Sequence, residues 1–154
     1  MTYRIAGLSP AEFLPLFALS DAELAERHAV RVTASRHPGY PCRVTLEDAP
    51  AGEELILLHH VSHEVATPYR SAYAIYVSRS DRAPDYRDAV PPVMQARALG
   101  LRGFDEAGML RGARLAAPGE ADAGIRDLFG DPEIAYIHAH NAAHGCFVAR
   151  VDRA

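Results

Sequence analysis

Period-two alternation constrains this chain more than any other feature. Tyr3 to Gly7, Val30 to Thr33, Cys42 to Leu46 and Ser71 to Val77 each set apolar side chains on alternate positions, as do the closing runs Ile134 to His140 and Cys146 to Asp152. A half-buried strand has this pattern, because successive side chains point to opposite faces. Turn residues separate the runs, as in Pro38-Gly39-Tyr40-Pro41 and Asp48-Ala49-Pro50-Ala51-Gly52. Tyr3 to Gly7 is expected at a sheet edge. Leu55 to Leu58 is apolar throughout, which predicts a central strand covered on both faces.

Helical signals are short. Pro10 to Phe17 and Ser20 to His28 read as helices, the second opened by Ser20 with Glu23 three residues on, a capping box. Glu120 to Phe129 aligns Ala121, Ile125, Leu128 and Phe129 on one stripe, and Gly130 predicts a left-handed stop before Pro132. Leu99 to Phe104 and Met109 to Leu115 flank Asp105-Glu106-Ala107-Gly108, the pattern of a hairpin. The expectation is an α+β fold: an antiparallel or mixed sheet of several short strands with a few short helices, ending in a C-terminal β-hairpin. Nothing divides residues 1–154, so a single domain is expected.

Charge and composition narrow the function classes. All 16 basic residues are Arg, set against 20 acids for a net charge of -4, with no basic run. Nucleic-acid binding relies on clustered cations and is not expected. No apolar run approaches the ~18 residues of a membrane helix, so no membrane partner is expected either. Met1 to Gly7 lacks the pattern of a signal peptide, and two cysteines are too few for a disulfide framework. Both thiols are therefore expected to be reduced, in the cytoplasm. No Gly-rich phosphate loop follows a strand, and neither G-x-S-x-G nor H-E-x-x-H occurs.

The terminal hairpin holds the densest chemistry. His138 and His140 share a strand face. If Ile137 and Ala139 are to meet the core with Phe147, Ala149 and Val151, then Ala139 pairs with Phe147 and Ile137 with Ala149. That register sets His140 opposite Cys146 and His138 opposite Val148. Three readings follow. His138, His140 and Cys146, with His144 as a fourth ligand, suit zinc. Alternatively His140 and Cys146 form a nucleophilic or redox pair, with Asn141 as the third, orienting group. In the third reading the histidines are solvated and Cys146 is a small buried hydrophobe.

Elsewhere, His59, His60 and His63 read as solvated residues at a strand end. Cys42 is expected to be buried, with Arg43 alternating to the other face. Arg70, Arg79, Arg82 and Arg87 interleave with Asp81, Asp85 and Asp88, which reads as a self-neutralising surface.

Four stretches carry a family resemblance: Pro41-Cys42-Arg43-Val44, Ala49 to Glu53 leading into Leu55 to Leu58, Pro68-Tyr69-Arg70, and His138-Ala139-His140-Asn141 through Gly145-Cys146-Phe147 to Arg150-Val151-Asp152-Arg153-Ala154. In these the chain resembles the bacterial domain of unknown function 1203 family. The resemblance implies one domain along the whole chain and carries no activity. Cys42, Arg43, Tyr69 and Arg70 are the candidate ligand-binding residues. The leading expectation is a non-catalytic domain that binds a small molecule or a protein. The alternative is a small enzyme using the His/Cys face as a metal site or thiol centre.

Overall fold

In the computed structural model, which describes residues 1–154, the strands are β1 (Tyr3–Ala6), β2 (Ala29–Thr33), β3 (Glu54–His63), β4 (Ser71–Ser78), β5 (Asp85–Arg87), β6 (Leu99–Phe104), β7 (Leu110–Ala116), β8 (Tyr136–Asn141) and β9 (Phe147–Arg153). The helices are α1 (Pro10–Phe13), α2 (Asp21–Glu26), α3 (Pro92–Gln95) and α4 (Ala121–Phe129), with a 3-10 turn over Leu14–Ala18. The strands form two antiparallel sheets, one of order β5-β1-β9-β8-β6-β7 and one of order β2-β3-β4. This is the α+β architecture expected, with β8 and β9 as its closing hairpin.

Local signals explain most elements. Ser20 Oγ accepts from the Glu23 N–H and the Glu23 carboxylate accepts from the Ser20 N–H, so the capping box opens α2. The expected left-handed stop does not form: Gly130 is right-handed, with φ -61°. Its N–H bonds back to Arg126 and Asp127, and further turns at Asp131 and Ile134 carry the chain into β8. β1 is not an edge strand, because the short β5 pairs with it on the side away from β9. β3 is the centre of its sheet as expected, yet within the apolar run Leu55 to Leu58 only Leu55 and Ile56 are fully buried, Leu57 and Leu58 being half-buried.

Two cores result. One face of the six-stranded sheet, with Ile5, Leu101, Ile137 and Val151, packs under α3 and α4. Ile56, Ile75 and Val77 of the small sheet pack against Phe13, Phe17 and Leu24. Burying each such side chain contributes about 1.5–3 kcal/mol.

The largest departure from the sequence reading is at Cys42 to Leu46, which is a tight strap rather than a strand. The Leu46 N–H bonds the Cys42 carbonyl, the Cys42 N–H bonds Glu47, and Leu46 takes a positive φ of 56°. Cys42 and Val44 enter the small-sheet core while Leu46 enters the other, so the strap links the two. It lies so close to the end of β1 that a Cβ on Gly7 would come within 1.9 Å of the Val44 carbonyl oxygen.

Candidate functional site

The hairpin register differs from the one that alternation predicts. Ile137 faces Val151, His138 faces Arg150, Ala139 faces Ala149 and His140 faces Phe147, with Val148 left out of the ladder as a β-bulge. The extra residue lets Val148 and Ala149 both reach the main core and turns Phe147 to the opposite face, among the histidines. Strict alternation assumed Phe147 in the core, and a bulge breaks that assumption. The expected pairing of His140 with Cys146 is therefore wrong.

Cys146 instead meets one residue from a distant part of the chain and one from its own hairpin. Its Sγ accepts from Arg43 Nη2 and from Asn141 Nδ2, each at 3.2 Å. Gly145, at φ 76°, sets the sulfur there by turning the chain into β9. Arg43 also donates from Nε to the Phe147 carbonyl and from Nη1 to the Pro41 carbonyl. Its guanidinium is 2 % exposed and forms no ion pair with a carboxylate. Burial pushes its pKa down, while the nearby sulfurs of Cys146 and Cys42 push it up. Of five N–H groups, three are engaged.

These side chains lie in a cleft of about 690 Å³, within the size range of small-molecule sites. Tyr40, Tyr73 and Tyr76 form apolar wall, and Arg36, Arg97 and His144 stand around it. Arg97 is already neutralised by a two-pronged pair with Asp48, at 2.6 and 2.8 Å. Burial opposes the Asp48 charge, but Arg97 and the Gly39 N–H hold that carboxyl below its ordinary range. Arg43 and Arg36 are thus the cleft cations without an acidic partner. Asn141 is buried, and its Oδ1 has no hydrogen-bond partner.

On the other face of the hairpin the histidines form a closed box. His138 packs against His63 at a ring distance of 4.8 Å, Phe147 at 5.1 Å and Phe104 at 5.5 Å. His140 packs against Tyr73, and its Nδ1 donates to the Gly145 carbonyl. The expectation of solvated histidines at the end of β3 fails for His60, half-buried against Phe13, and for His63, because the strand runs through it. His63 is buried, donating from Nδ1 to the Tyr69 carbonyl and accepting at Nε2 from the Tyr136 hydroxyl. Sequence reasoning named this residue but set it in solvent, because the aromatic neighbours that bury it lie on other elements. Burial, then His63, Arg150, His140 and Arg102, lower the His138 pKa from 6.5 to about 2. Burial also lowers that of His140.

The remaining candidates scatter. His144 is exposed on the cleft rim, apart from the His138 and His140 box, and no group of three His, Cys, Asp or Glu side chains is placed to hold a metal ion. Cys42 is buried as expected, its sulfur accepting from the Ser78 N–H and hydroxyl. Both cysteines are free. Tyr69 braces His63 through its carbonyl, and Arg70 pairs with Glu64 at the surface, so neither joins Arg43. Arg79 and Arg82 likewise lie outside the cleft, paired with Glu54 and Asp81. No helix is long and apolar enough to cross a membrane.

Comparison with known families gives one match. The family described as protein of unknown function (DUF1203) matches residues 39–153, and the chain belongs to it. No curated protein and no solved structure matches.

Proposed function

We propose that this DUF1203 member is a binding domain for a small organic anion, a carboxylate or phosphate carried on an apolar body. The observation that carries this reading is Arg43, a buried guanidinium on the cleft wall with no carboxylate to balance it. An isolated buried charge is costly unless something pairs with it. A ligand anion supplies that pairing, and the fork of remaining N–H donors suits two oxygens. Arg36 at the rim adds a second cation, and the tyrosine wall accommodates the apolar part.

Thermal unfolding with benzoate or inorganic phosphate as probes tests the proposal. A ligand at a hundredfold excess over its Kd stabilises by about 2.7 kcal/mol, roughly 5–10 °C for a chain of this size. That rise is expected in the natural protein and should shrink in Arg36→Gln, whose side chain is exposed and not needed for folding. Absence of a rise with either probe defeats the reading.

A further inference from the structure

Cys146 lines the cleft, is partly open to solvent, and accepts two N–H donors at sulfur. The Arg43 guanidinium thus sets a cation directly on the sulfur, and the thiolate is the nucleophilic form of a cysteine. A second observation points to an incoming group. Asn141 is 7 % exposed, its Nδ2 is on the sulfur, and its Oδ1 is shut off without a partner. A buried acceptor left unpaired costs about 1–3 kcal/mol, and a donor formed at the sulfur would satisfy it.

We propose that Cys146 is an oxidation site for hydroperoxides, its thiolate becoming a sulfenic acid whose O–H donates to Asn141 Oδ1. The sulfur lone pair attacks one peroxide oxygen and forms the S–O bond as the O–O bond breaks. The second oxygen leaves with the bonding pair as hydroxide, or as alkoxide from an organic hydroperoxide, and takes a proton from cleft water. Sulfur is oxidised by two electrons and the peroxide is reduced by two. Acyl transfer is a poorer fit, because its leaving group needs a positioned acid. No histidine is bonded to Cys146, and His140 Nδ1 is committed to Gly145. A hydroperoxide gives up its weak O–O bond, and solvent can protonate the oxygen that leaves. Cys42 also accepts donors at sulfur, but it is 1 % exposed and lines no cleft.

The full-length protein, treated with hydrogen peroxide and dimedone and mapped by peptide mass spectrometry, tests this. Dimedone adduct is expected on Cys146, formed at least about tenfold faster than on the urea-unfolded chain, since Arg43 and Asn141 meet the sulfur only in the folded site. Cys42→Ala should keep that adduct, and Arg43→Met should slow it about tenfold. Should Arg43→Met not fold, Asn141→Ala gives the second comparison, with slowing again expected. Equal rates in folded and unfolded chain, adduct confined to Cys42, or no slowing in either variant would overturn the proposal. The step does not require anion uptake, so a fast sulfur in a cleft that binds neither benzoate nor phosphate would defeat the binding reading alone.

Discussion

The two faces of one hairpin are built to opposite ends. His138, His140 and Phe147 point into a box of ring contacts, in which His63 bonds Tyr69 and Tyr136 and His140 bonds Gly145, while His138 is held by ring contacts alone. Asn141 and Cys146, at the end of the same ladder, point into a cleft where an arginine lacks a carboxylate partner and an amide oxygen lacks a donor. Histidines are the usual advertisement of a site, yet here His138 and His140 are buried among other rings. The unpaired groups of the cleft are what support our proposal that it takes up a ligand.

The sharpest way to break this contrast is Phe147→Ala. Removing a buried ring from between His138 and His140 should cost about 3–5 kcal/mol in urea unfolding. The rate of Cys146 alkylation in the folded protein should stay within about twofold. A large change in thiol rate would mean that the box and the cleft are one device.

Acid should act on the box and spare the cleft. His138 has a folded pKa lowered from 6.5 to about 2 by burial and then by His63, Arg150, His140 and Arg102. The unfolded chain therefore binds more protons between those values, so stability is intact above pH 6.5 and falls as the pH drops towards 2. At pH 4.5 the loss from this one group is about 2–3 kcal/mol. Unfolding at pH 7 and pH 4.5 measures it, and His138→Phe should flatten the difference. An unflattened curve would place the acid sensitivity elsewhere.

On the cleft side the stability effects should be smaller. Asn141→Ala removes one bond to sulfur together with an unpaired acceptor, so the two effects offset and the net change should be about 1 kcal/mol or less. Arg36→Gln should leave stability within about 0.5 kcal/mol, as exposed substitutions do, while weakening anion binding. A strongly destabilised Arg36→Gln protein would mean that this arginine is structural.

What the sequence revealed follows the range of the interactions. The Ser20–Glu23 box, the β6–β7 hairpin and the apolar stripe of α4 rest on contacts a few residues apart, and all appear as expected. The failures are non-local. Cys42 to Leu46 alternates like a strand because its residues do face two directions, but those are two different cores joined by a turn. The bulge at Val148 is set by how well Phe147 fills the space between the sheets, a matter of packing against His138 and His140. Arg43 and Cys146 were each legible as reactive types. Their meeting was not, since 103 positions separate them.

That separation has a kinetic side. The strap is held from upstream by the Leu8 N–H on the Arg43 carbonyl, and from downstream by Phe147 and Cys146. β1 likewise pairs on one side with β5 and on the other with β9, at the far end of the chain. Closing loops of this length has an entropic cost that is met before any contact rewards it, so the guanidinium must wait, hydrated, until the hairpin docks. In refolding, protection of the Cys146 thiol should be among the last signals to emerge, trailing the assembly of the small sheet. The cleft then serves as a checkpoint, completed only by chains whose two ends have already met.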